Sequence, residues 1–195
     1  MRKVLDVGCG INKLAGAIGI IAMPPVARML SAIWTISRTR RDSSFDHVHA
    51  AHVIEHVADV MGTMEEFHRL VRPGGTIYLA TPHYTDFSSF CDPTHRWHLN
   101  SFSFRYFGEN HGGYSYYSRA GLRETRVHVR LLMLWRYLGF EVLVNQWPRF
   151  RLFWEHYLCY IVRGKVIEFE FEVVKPGVDA ASTPRDVRAI AGRKA

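Results

Sequence analysis

At 195 residues, 48% of them apolar and 22% charged, the chain is long enough to bury one globular core, and no apolar stretch reaches the roughly 18 residues that a bilayer-spanning helix needs. The formal charge of +7 comes from scattered Lys and Arg with no aromatic-basic stripe, which argues against nucleic acid as the partner. Cys9, Cys91 and Cys159 lie far apart without a C-x-x-C pair, which excludes a disulfide framework and a cysteine zinc site and points to a reducing, cytoplasmic setting.

Met1-Arg2-Lys3 runs straight into an apolar strand, so a secretory signal peptide is not expected there. That strand, Lys3–Val7, ends in the turn Gly8-Cys9-Gly10. Glycines at such a turn let a ligand approach the backbone closely. Ala17–Ile21 reads as a second strand, stopped by Pro24-Pro25. Phe45–Ala51 is a third, with Asp46 at its entry. Val60–Val71 is an amphipathic helix: Met61, Met64, Phe67, Leu70 and Val71 fall at helical spacing, with Glu65, Glu66 and Arg69 outward. Arg72-Pro73-Gly74-Gly75 is its stop signal, and Thr76–Ala80 the next strand.

Residues 82–118 form a long polar and aromatic insertion carrying His83, Tyr84, Asp86, Asp92, His95, His98 and His111, regular only around Ser101–Phe107. A stretch of this kind is expected to serve as a substrate lid or binding loop. Beyond it, Val127–Leu138 reads as a helix, Phe140–Asn145 as a strand after the Gly139 break, and Phe150–Val162 as an aromatic, mostly core-facing helix. Arg149, Arg151 and Arg163 flank that helix, so peripheral membrane contact is the alternative use of it. Lys165–Val174 alternates apolar and acidic residues as a half-buried edge strand does. The domain is expected to span 1–176, with 177–195 a disordered tail.

The order of these motifs carries a resemblance. Asp6 runs into Gly8-Cys9-Gly10; then come Phe45-Asp46-x-Val48, Glu55-His56-Val57, and Glu66-x-x-Arg69-x-x-Arg72-Pro73-Gly74-Gly75. The series resembles the class I S-adenosylmethionine-dependent methyltransferases (the type 11-like domain), over about residues 3–82 and more loosely to 175. The resemblance implies an α/β fold: a Rossmann-like, mostly parallel sheet of six to seven strands, the last antiparallel, with helices on both faces. It also implies S-adenosylmethionine as cofactor. Asp6, Val7, Gly8, Cys9 and Gly10 would wrap its methionine part, with Asp6 toward the ammonium, and Ala51 and His52 would line the methyl group.

The chain departs from that pattern after its second strand. Such proteins end it with an acidic residue for the ribose hydroxyls, yet from Ile11 to Arg41 there is no Asp or Glu, and Ala27–Arg41 carries four arginines, Arg28, Arg38, Arg40 and Arg41. The middle βα unit is also short. Back-translated with chosen synonymous codons and read from the third base of the Ala27 codon, Ala27–Arg40 yields ADVVRDLDDFPYP. That string resembles what the family places before a segment like Asp42-Ser43-Ser44-Phe45-Asp46. Residues from about Ile21 to Arg41 are therefore read as out of frame, which would impair ribose and adenine contacts and also accounts for much of the basic charge.

Two further patterns bear on chemistry. His52-x-x-Glu55-His56 matches a metalloprotease pattern, but it directly follows a strand, so a loop and helix start with Glu55 as an early helical acid is favoured, and no metal ligands are assigned. His95 and His98 titrate near neutrality and are candidates for work at the acceptor, while Tyr114, Tyr116 and Tyr117 are expected to pack the lid. The expected function is methyl transfer from S-adenosylmethionine to a small-molecule or glycan-like acceptor, with His52 and His95 as catalytic residues. The rivals are a non-catalytic relative with an impaired cofactor site and a metal-dependent hydrolase using His52, Glu55 and His56.

Overall fold

A computed structural model describes residues 2–9, 13–20, 41–108, 118 and 120–175. Gly10, the Ile21–Arg40 segment, His111, Tyr114, Tyr116, Tyr117 and the tail lie outside the described residues.

Among the described residues six strands form one sheet: β1 (Val4–Val7), β2 (Ile18–Ile20), β3 (Phe45–Ala51), β4 (Val71–Pro82), β5 (Gly121–Leu131) and β6 (Gly164–Val174), in the order β2-β1-β3-β4-β6-β5. The first four are mutually parallel, and β6 runs antiparallel to both its neighbours. This matches the expected α/β sheet with an antiparallel last strand. Leu5, Val48, Ala50, Ile77, Leu79, Ile167, Phe169 and Phe171 fill the core.

Helix α1 (Val60–Leu70) starts where the Asp59 side chain accepts the Gly62 N–H, and it buries Thr63, Met64, Phe67 and Leu70 on one stripe. It passes directly into β4, because Val71 is already extended and pairs with Phe45. The expected stop signal is therefore an irregularity inside a longer strand. The register shifts between Phe45 and His47, and Gly74 takes φ +69°.

Four expectations fail downstream. Val127–Leu138 is not a helix: β5 covers its first part and only α3 (Met133–Tyr137) is helical. The burial of Val127, Val129 and Leu131 has period two, and Arg123, Arg126 and Arg130 each meet a glutamate of β6 (Glu172, Glu170 and Glu168). Phe140–Asn145 is not a strand but most of helix α4 (Phe140–Gln146), entered through Gly139 at φ +79°. Its side chains serve the sheet edge. Asn145 accepts the Val129 N–H (2.7 Å) and donates to its carbonyl (2.9 Å), and Glu141 accepts the Leu131 N–H (2.9 Å). With these edge groups satisfied, β5 ends the sheet. Lys165–Val174 is thus no edge strand: β6 is interior, its inward Ile167, Phe169, Phe171 and Val173 all buried.

Helix α5 (Pro148–Tyr157) begins on a proline, as helix starts tolerate, but it is not mostly core-facing. Arg151, Trp154 and Glu155 point inward while Leu152, Phe153 and Tyr157 are exposed. Among the described residues no helix is long and apolar enough to cross a membrane.

Candidate functional site

The sheet order reverses at β1, which has β2 on one side and β3 on the other. Open α/β sheets take ligands at the carboxyl ends of the strands beside such a reversal. Gly8, His52 and His83 stand there, each just past the end of β1, β3 or β4.

Gly8 sits at φ +72°, and a Cβ on it would come within 2.3 Å of Val53 Cγ2. Since Val53 is fully buried it cannot yield, so the position requires glycine on both counts. Val7 is buried in the core and offers the turn only its backbone, while Cys9 is half-buried. The buried Asp6 carboxylate accepts the Leu14 N–H through Oδ2 (2.8 Å), tying the chain beyond the turn back onto β1. Gly10, the second glycine of the turn, is outside the described residues.

At the end of β3, Ala51 pairs with Ala80, and the His52 N–H donates to the Ala80 carbonyl (2.8 Å). His52 takes φ +56°, a conformation that costs a side-chain-bearing residue about 1 kcal/mol or more and gathers at functional sites. Its side chain is half-exposed, with Nδ1 3.2 Å from Oε1 of the buried Glu55. The hydrogen bond to Glu55 pushes the imidazole above its ordinary range. The helix begins only at Val60, so Glu55 lies in a turn and is not an early helical acid, and His52 and His56 do not share a helical face. The premise of the hydrolase reading is therefore missing.

The insertion folds down onto this turn. The Glu55 carbonyl accepts the N–H of Arg96 (2.8 Å), and the Trp97 indole donates to the Val57 carbonyl (2.7 Å). His95 is thereby brought to His56, ring centroids 4.6 Å apart, with Glu55 beside both. Among the described residues no hydrogen bond or ring contact joins His95 to His52. His98 is occupied in packing: it bonds the Ser89 hydroxyl and stacks on Phe90, against the short helix α2 (Phe87–Cys91). Further on, Phe104 enters the core against Phe169 and Phe171, with Phe107 beside it.

A buried network at the end of β4 had no signal in the sequence, because its members are 72 residues apart. The Thr85 N–H donates to His83 Nδ1 (3.2 Å), so Nε2 carries the proton toward both Glu155 oxygens (3.3 Å). Burial alone would raise the Glu155 carboxyl. The His83 interaction and the hydrogen bond from Ser101 outweigh it and hold the group below its usual range. Next to it, burial pushes up both the Tyr84 hydroxyl and the Cys159 thiol, which meet at 2.9 Å. A polar depression of about 410 Å³ lined by Arg2, Asp46, Arg72 and Thr76 lies at the amino ends of the strands, the edge opposite the glycine turn.

With this geometry in view, the comparisons with known proteins are informative. A family model described as a methyltransferase domain matches residues 2–125. No curated protein sequence matches the chain. Among solved structures, it is similar to a SAM-dependent methyltransferase from Archaeoglobus fulgidus (TM-score 0.57, 16% identity, 88% of this chain and 86% of that one). It is also similar to the YcgJ protein of Bacillus subtilis (TM-score 0.52, 12% identity, 90% and 93%). At such identities the likeness concerns the fold.

Proposed function

This chain belongs to the methyltransferase domain family, and we propose that it transfers a methyl group from S-adenosylmethionine to a small-molecule or glycan-like acceptor. The observation that carries the reading is Gly8: a left-handed, side-chain-free turn held against Val53 at the reversal point of the sheet, directly after the buried carboxylate of Asp6. A carboxylate for an ammonium group and a bare backbone turn suit the methionine part of that cofactor. When bound, S-adenosylmethionine supplies an electrophilic methyl group on a sulfonium.

The chain's part is then to align the acceptor and take its proton. We assign the proton to His52. A carboxylate can only accept from its Nδ1–H, so Nε2 is the basic atom, and Glu55 stabilises the imidazolium that forms. His95 is largely buried against Glu55 and His56, so we assign it positioning rather than direct contact with the acceptor.

A second reading has its own observation. The absence of any Asp or Glu from Ile11 to Arg41 favours a member that no longer holds the cofactor. Calorimetric titration with S-adenosylhomocysteine separates the two. Saturable binding that is lost in Gly8→Val supports the transferase, and the absence of binding to a folded chain overturns it. The nucleotide sequence over Ile21–Arg41 tests the out-of-frame explanation, which fails if its codons do not yield the shifted string.

A further inference from the structure

We propose that Glu55, His56 and His95 form a binding site for a first-row divalent cation such as Zn²⁺. This set differs from the His52-x-x-Glu55-His56 pattern and does not rest on the methyl-transfer reading. One ligating atom from each of the three lies within 4.8 Å of the other two. Glu55 is 1% exposed; its Oε1 is engaged by His52, while its Oε2 has no hydrogen-bond partner among the described residues. A buried carboxylate oxygen left in that state is costly unless a proton donor or a cation meets it.

The hydrogen bonds fix both rings in the form a cation needs. His95 Nδ1 is 3.1 Å from the Ser89 carbonyl, which only accepts, so Nδ1 carries a proton and in the neutral ring the lone pair is on Nε2. Thr94 Oγ1 donates its single proton to Asp92 Oδ1 (2.7 Å), so it must accept from His56 Nδ1 (3.0 Å), which again leaves Nε2 with the lone pair. An outer acceptor holding the second ring N–H is the arrangement found around metal-bound histidines. Asp92 Oδ2, 3.8 Å from His95 Nε2, supplies a fourth donor at the rim.

Two imidazoles with a carboxylate suit zinc and its first-row neighbours and disfavour magnesium and calcium, which prefer all-oxygen shells. Bonds of about 2.0–2.2 Å in a tetrahedral shell put donors about 3.3–3.6 Å apart, so binding draws the cluster together by up to about 1.5 Å. The cation would thus fasten residues 92–95 to the turn that carries His52.

The test is calorimetric titration of the chelator-stripped full chain with Zn²⁺ and, separately, Mg²⁺. One Zn²⁺ per chain is expected, with Mg²⁺ at least about 100-fold weaker. His95→Asn and Glu55→Gln, each verified as folded by circular dichroism, should weaken Zn²⁺ by more than the roughly 10–100-fold expected when only an outer partner is lost, as in Thr94→Val. His156→Ala, on the exposed face of α5, should leave the affinity unchanged. If Glu55→Gln fails to fold, Thr94→Val, which keeps every ligand, carries the test. Zinc affinity that is unaltered in His95→Asn and Thr94→Val, or no better than that for Mg²⁺, overturns the proposal. Because no methyl donor or acceptor is present, the outcome is separate from that of the S-adenosylhomocysteine titration.

Discussion

On one side of the reversal point, β3 and β4 pair from the Phe45 end through Ala51. The turn after β3 is fastened by Arg96, Trp97 and the Ala80 carbonyl, and the insertion sends Phe104 into the core. On the other side, β1 and β2 pair from Leu5 to Val7, Ile18 and Leu14 are exposed, and the Leu14 N–H bond to Asp6 ties the chain beyond the turn to β1. The segment that would complete this half, Ile21–Arg40, is outside the described residues. The difference teaches that the half-cleft nearest the proposed acceptor is built by tertiary contact. In the half nearest the proposed ribose and adenine, the described residues contribute a short β1–β2 pairing, the Asp6–Leu14 bond and the Gly8 turn.

The sharpest way to break this comparison is Phe104→Ala. If the insertion belongs to the core, the change should cost about 3–5 kcal/mol in chemical denaturation, as for other buried phenylalanines. A detachable lid would leave stability unchanged. Next comes Gly8→Ala, which forces a side chain into a left-handed turn and against Val53. We expect about 2–3 kcal/mol of destabilisation together with loss of S-adenosylhomocysteine binding. The loss of stability should shrink in a Val53→Ala background, since the clash goes while the backbone strain stays.

On the fastened side, Glu155→Gln should cost about 1–2 kcal/mol at neutral pH. Its pH signature is specific. The folded-state pKa of Glu155 lies below the unfolded value of about 4.3, so its contribution is present above that pH and disappears as pH falls through the folded value. Urea titrations of wild type and variant should therefore converge in strong acid; parallel curves would count against the His83–Glu155 network. The smallest effect is expected at Asp6→Asn, about 0.5–1 kcal/mol in stability because the amide oxygen can still accept from Leu14. If Asp6 serves the cofactor, S-adenosylhomocysteine affinity falls by more than this, and equal losses would make it a purely structural anchor.

Several elements were legible residue by residue. Phe45–Ala51 and the Val60 helix follow from local periodicity, and the glycine turn from its apolar strand. These signals live within a few residues of one another, and each element buries the face its own pattern marks out. The region from Val127 to Asn145 was misread in both directions, and the reason is tertiary. Val127–Leu131 is a strand because β6 offers a ladder with glutamates opposite its arginines. Phe140–Gln146 is a helix because Asn145 and Glu141 are then placed to satisfy the edge of that strand. Intrinsic preference alone is too weak to choose between these outcomes.

The candidate site divides the same way. Sequence by itself determined the family, the glycine turn with Asp6, and His52 at the end of its strand, because motif order survives without knowledge of contacts. It also exposed the acid-free stretch from Ile11 to Arg41, which no contact could reveal. Only the tertiary structure decided that His52 leans on Glu55 and that His95 joins Glu55 and His56 rather than His52. It alone decided that His83 and Glu155 lock the base of the insertion. Hydrogen bonds between residues 40 or 70 positions apart depend on how the chain returns to the sheet edge, and no local pattern encodes that return.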